Sequence, residues 1–130
     1  MKCHCCSGIN FEDCCHPFLA GIKLASTAEA LMRSRYTAYV VVDVNYIIAT
    51  THRSTRNLYN TNSIKQWAES STWQKLEIVS IRAGTANDSN GKVEFKAYYL
   101  DSIMKGNVHH EYSDFVKEND TWFFVGGTIA

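Results

Sequence analysis

Five cysteines occupy the first fifteen positions of this 130-residue chain, as Cys3-His4-Cys5-Cys6 and then Cys14-Cys15-His16, and no cysteine follows them. Thiolates this close in sequence can surround one soft cation, and the remainder of the chain offers no thiol for a long-range disulfide. The chemistry implied is a metal knot, with structural zinc ahead of a redox-active or iron-bound cluster, or of inert thiols and disulfides. Secreted domains also collect cysteines, but they spread them through the fold and usually follow an apolar segment. Here Met1-Lys2 leads straight into Cys3, so a reducing, cytoplasmic setting is expected.

A second set of residues could do chemistry only if the fold buries it. Arg35 lies midway between Leu31 and Tyr39 at four-residue spacing, in line with an apolar helix face, so its guanidinium needs a partner inside. His52 precedes Arg53-Ser54-Thr55-Arg56, a basic and hydroxyl-rich segment suited to holding a carboxylate or phosphate. The competing reading of His52 is a cap on a helix end. His109 and His110 are neighbours on one strand and point to opposite faces, so they do not share a metal without a bulge. Trp67, Trp73 and Trp122 read as core residues.

The elements that must position these groups follow from periodicity. Ser26-Thr27-Ala28-Glu29 has the form of a capping box with Ser26 as N-cap, and Ala28, Leu31, Met32, Tyr36, Tyr39 and Val40 recur behind it at helical spacing. This predicts a helix over about 27–42. Asp43 can cap a second helix through Thr50, and Ile64 with Trp67 marks a third over 63–69. Beyond Thr72 the pattern becomes aromatic and β-branched over 73–86, 92–101, 108–118 and 121–129, with polar breaks between, which predicts a four-stranded antiparallel meander. Helices followed by such a sheet make an α+β layer. Val93, Phe95, Ala97 and Tyr99 alternate onto one side of the second strand, the side expected to meet the first helix.

The segment from Cys3 to Cys15 resembles the SEC-C zinc motif, best known at the C-terminal tail of the SecA translocation motor. The resemblance implies Cys3, Cys5, Cys14 and Cys15 as zinc ligands, with Ser7-Gly8 as the tight turn. This chain departs from the motif in having His4 for a proline, Cys6 for a glycine and Ile9 for a basic residue, so Cys6 is a fifth thiol beside the site and His16 an alternative to Cys15. Further blocks, Cys14-Cys15-His16-Pro17-Phe18-Leu19-Ala20-Gly21, Ala30 to Tyr39, Thr51 to Arg56, Gly91 to Tyr99, His110-Glu111 and Trp122 to Gly127, are similar to those of the YchJ-like proteins, although Tyr112 and Asp114 stand where that family more often has arginine. The resemblance implies a knot over residues 1–21 and, over 22–130, a cone-shaped α+β domain of the nuclear-transport-factor-2-like, cystatin-like kind. In that pattern Glu111, Ser113 and Phe115 face inward, which makes Glu111 the expected counter-ion of Arg35. It leaves the activity open, because the same cone serves isomerases, dehydratases, transporters and assembly domains.

Composition limits the classes. Hydrophobic residues make up 45% of the chain, and 13 basic residues balance 13 acidic ones. That balance argues against a protein whose main task is coating nucleic acid, and no apolar run approaches the roughly 20 residues needed to span a bilayer. Two functions from different classes are expected. One is a zinc-knot binding module for a protein or ribosomal partner. The other is a cone enzyme or small-ligand carrier with a pocket formed by Arg35, His52, Tyr99 and Glu111. The knot and the cone are expected to be separately stable.

Overall fold

The computed structural model describes residues 1–130. The cysteine segment is closed by an isolated bridge between Lys2 and Asn10 and runs through a short helix α1 (His16–Leu19) into α2 (Ala28–Val41), α3 (Val44–Ala49) and α4 (Thr61–Ser70). Four strands follow, β1 (Thr72–Ala83), β2 (Asn90–Leu100), β3 (Gly106–Glu118) and β4 (Thr121–Ile129), hydrogen-bonded in sequence order as an antiparallel meander. The architecture is the α+β layer expected, preceded by the cysteine knot. β1 pairs with β2 through two register shifts, between Trp73 and Lys75 and between Ile78 and Ser80.

Local chemistry sets the helix ends. The N-cap of α2 is Thr27, whose Oγ1 accepts from Ala30 N at 3.0 Å. The expected cap at Ser26 is therefore one residue early, and Glu29 binds Arg33 Nε at 2.9 Å instead of closing a capping box. α2 ends at Val42 in the left-handed region (φ 60°), which turns the chain so that Asp43 can accept from Tyr46 N and start α3. Asn60 accepts from Ser63 N to begin α4 two residues before the expected start.

The core lies between α2 and the sheet. Ala28, Leu31, Met32 and Tyr36 of α2 pack on Val93, Phe95 and Ala97 of β2, Phe115 of β3, and Trp122 and Phe124 of β4. Burying each large apolar side chain contributes ~1.5–3 kcal/mol, and alternation along β2 delivers two of them, Val93 and Phe95, to one face together with the small Ala97. Tyr99 belongs to the same face but lies beyond the core, half-buried against the rings of Trp67 and Trp73.

The segment after α3 is sewn to β4. His52 N donates to Phe124 O at 2.7 Å and Phe124 N to Thr50 O at 2.8 Å, with a parallel bridge between Thr51 and Phe124. The knot is likewise fastened to α2: Arg33 Nη1 donates to Cys5 O at 2.7 Å, and Cys3 Sγ lies 3.7 Å from Thr37 Oγ1 in a buried contact. Knot and cone thus share an interface through one helix.

Candidate metal centre and cone cavity

Cys3 and Cys5 lie on the first arm of the knot and Cys14 and Cys15 on the second, and the turn between the arms brings them together. Gly8 takes φ +83°, and Ser7 Oγ accepts from Ile9 N at 3.1 Å, as a Ser-Gly turn requires. The sulfurs of Cys3, Cys5, Cys14 and Cys15 all lie within 4.8 Å of one another. Cys5 Sγ is 3.6 Å and Cys15 Sγ 4.0 Å from Cys14 Sγ. A bonded disulfide would bring sulfurs to about 2.05 Å, whereas four sulfurs at ~2.3 Å from a central ion in a tetrahedron stand ~3.8 Å apart. The spacing fits a divalent ion with an all-thiolate shell. Crowding also prepares the charge: Cys5 is pushed down to about 4, chiefly because Cys15 donates toward it, and Cys15 is pushed up in return.

Cys6 is outside this group. It is exposed, its Sγ points at His4 O at 3.6 Å, and its φ of 66° lies in the left-handed region, which explains why the resembling motif carries glycine there. His16 is turned toward Glu12, 3.5 Å away, and stacks edge-on against Phe11. The cation beside the thiols is Arg33, whose Nη1 donates to Cys5 O. Burial alone would lower its guanidinium, but Glu29 and the Cys5 thiolate outweigh burial and raise it.

Between α2, α4 and the sheet lies a cavity of about 530 Å³. Arg35 and Glu111 both line it. They do not pair. Arg35 Nη1 donates to Ile47 O at 2.8 Å, to Thr50 Oγ1 at 2.7 Å and to Thr51 Oγ1 at 3.3 Å, and its guanidinium lies 4.3 Å from the centre of the Phe124 ring. The partner that the buried guanidinium needs is thus the carbonyl end of α3, where the helix dipole favours a cation, and not the carboxylate expected from the sequence. Glu111 is satisfied on its own strand: Oε1 lies 2.9 Å from His109 Nε2 and Oε2 accepts from Ser113 Oγ at 2.5 Å. Burial pushes its carboxyl up, but the bonds from His109 and Ser113, and then the charges of His109 and Arg35, outweigh it and hold the group below its ordinary value. A general base for proton abstraction has its carboxyl raised toward working pH, the opposite of this arrangement.

The other two residues expected at the pocket lie off its lining. Tyr99 stands behind Trp67 and Trp73. His52 is buried against Phe123, with Nδ1 accepting from Ser54 N at 3.1 Å and Nε2 2.9 Å from Glu118 Oε2 but off the hydrogen-bond line. Phe123 and Phe124 alternate, so His52 is on the far side of β4 from the cavity. In their place the lining includes Trp67 and Trp73, read from the sequence as core, and His109, which sequence reasoning set aside. The signal for His109 was its two-residue separation from Glu111, which puts both on one strand face. His110, on the opposite face, pairs with Glu94 at 2.7 Å.

Comparison with known proteins follows these features closely. The family model described as YchJ, middle NTF2-like domain, matches residues 27–127. A UPF0225 protein of Geobacter sulfurreducens is 43% identical over 125 residues, covering 96% of this chain and 77% of the relative. Among solved structures, a SEC-C motif containing protein from Rhodopseudomonas palustris superposes with a TM-score of 0.91 at 37% identity, covering 100% of this chain and 99% of the other. A second SEC-C motif containing protein, from Psychrobacter arcticus, gives 0.79 at 34% identity over 95% of this chain and 75% of its own. The α+β domain thus matches the family model, the two solved neighbours are described as SEC-C motif containing proteins, and the chain belongs to the YchJ-like family.

Proposed function

We propose that Cys3, Cys5, Cys14 and Cys15 hold one structural zinc, and that the chain acts by binding, with the knot of residues 1–21 presented to a protein or ribosomal partner in the bacterial cytoplasm by the domain of residues 22–130. The observation that carries this reading is the thiol quartet, whose four sulfurs lie within 4.8 Å of one another, close enough to surround one ion. Zinc with four thiolates keeps no open position for substrate or activated water, which leaves it the work of shaping a surface. Two solved structures similar to this chain are themselves described as SEC-C motif containing proteins. No helix is long and apolar enough to cross a membrane.

Elemental analysis of untagged protein should find about one zinc per chain. Cys14→Ser should lose it and Cys6→Ser keep it. Cosedimentation with bacterial ribosomes and affinity capture, run in parallel with the zinc-loaded chain and the Cys14→Ser variant, test the partner. Equal recovery of the same partners by both would move recognition away from the knot and sink the adaptor reading.

The cavity favours a second reading, a small-ligand carrier. Its volume falls within the range of ligand sites, and its walls combine aromatic rings with a few polar groups.

A further inference from the structure

Arg35 is only 6% exposed, yet only one of its three nitrogens is hydrogen-bonded to the chain. Nε and Nη2 meet no acceptor, and neither is sealed from solvent, so both open on the cavity that Arg35 lines. Tyr39 and Tyr59 line the same cavity, their hydroxyls make no hydrogen bond within the chain, and both lie near enough to Arg35 to feel its charge. No carboxylate comes within ion-pair reach of Arg35, and the carboxylate that shares its cavity is already occupied by His109 and Ser113. A buried cation is thus held in place by α3 with its second edge of donors turned inward, in a chamber lined by several aromatic rings and a few polar groups.

We propose that this cavity takes a small monocarboxylate with a flat or branched apolar body, its carboxylate forked on Nε and Nη2 of Arg35 beside the tyrosine hydroxyls and its body against Trp67, Trp73 and Phe95. The inference rests on the carrier reading and is independent of the metal. Two adjacent guanidinium donors in one plane match the two oxygens of a carboxylate. Charge selects against a phosphate, because one guanidinium offsets one negative charge and Glu111 in the same chamber repels a second. It selects against an amine, because the carboxylate that would receive it is already bonded through both oxygens. Buried donors built to meet an oxyanion discriminate strongly against a ligand that cannot accept from both of them.

The test uses the full chain, zinc-loaded, and the fluorescence of the tryptophans in the wall, with calorimetry as a second readout. The probes are phenylacetate, indole-3-acetate and 4-phenylbutyrate, each against its primary amide, with phenethylamine and inorganic phosphate as charge controls. At least one carboxylate should bind saturably and about tenfold or more tighter than its amide, with phosphate and the amine giving no saturable change. Tyr39→Phe, which removes one hydroxyl and keeps the ring, should weaken that carboxylate several-fold and leave the amide unchanged; Arg35→Lys should erase the preference. Amides binding as well as their acids would overturn the ligand class while leaving a carrier. Silence from every probe, charged or neutral, would overturn the carrier reading and this inference with it.

Discussion

The knot and the cavity solve the same problem, how to keep charge away from water, by opposite routes. In the knot the groups are neighbours in sequence, identical in kind and turned toward a common centre, so one ion could satisfy all of them and the backbone needs only a Ser-Gly turn to bring them together. In the cavity Arg35 comes from α2, its anchors from α3, its ring partner from β4 and the carboxylate from β3. Each charge there has its own neutral or local partners, and part of Arg35 is left over. Short-range chemistry gives a closed site, whereas long-range assembly leaves a remainder that faces a chamber.

The sharpest way to break this contrast is to remove the proposed zinc. Structural zinc in small knots is worth roughly 10–16 kcal/mol of apparent binding energy, which is also the energy that folds them. Chelation or Cys14→Ser should abolish amide protection in the knot. Because Arg33 donates to Cys5 O and Cys3 is buried on Thr37, the cone should also melt lower, by about 1–2 kcal/mol or ~5–10 °C. Calorimetry with and without chelator checks it, and an unchanged main transition would make the knot an independent unit after all.

On the cavity side, Arg35→Met should cost ~2–4 kcal/mol by releasing the carbonyl end of α3. If Glu111 were its ion-pair partner, adding Glu111→Leu would recover most of that. With Glu111 bonded to His109 and Ser113, the double variant should be no more stable than Arg35→Met in urea unfolding. Recovery by the second change would restore the buried ion pair.

A smaller effect tests the packing around that carboxylate. A Cβ at Gly127 would run into the Glu111 carboxylate and its Cγ, so Gly127→Ala should destabilise by about 1–3 kcal/mol as an overpacked site does. Combining it with Glu111→Ala should remove most of the penalty, and an equal penalty in both backgrounds would locate the strain elsewhere. The smallest expected effect belongs to Cys6. Its left-handed backbone costs an L-residue about 1 kcal/mol, so Cys6→Gly should stabilise by up to that amount at unchanged zinc content. Loss of zinc in this variant would make Cys6 a ligand.

The two regions also differ in how far they were legible from residues alone. Side-chain identity and spacing mark the thiols, because a cysteine is a ligand wherever the turn allows it. Arg35 was placed inside by its phase on α2, but its partners were invisible: Ile47 contributes a backbone carbonyl that any residue would supply, and Thr50 and Thr51 are ordinary hydroxyls until α3 is docked. The same uncertainty explains Trp67 and Trp73, since a ring against a cavity and a ring in a core have one sequence signature. The strand boundaries followed from polar breaks, while the cap of α2 slipped by one residue because Ser26 and Thr27 offer the same hydroxyl and only the backbone decides between them.

The two outer strands of the meander meet water in different ways. β4 has the middle of its free edge, at Phe124, occupied by Thr50 and His52. β1 has no such cover, and Val79 and Ile81 on it are 43% and 48% exposed. Its two register shifts break the even row of free amides and carbonyls, and Lys75, Glu77 and Arg82 charge the same strand. An irregular, charged margin is a poor template for strand addition. The irregularity in β1 therefore works against self-assembly into extended sheets, and deleting Val79, which would remove one of the two shifts, should make that margin more open to strand addition.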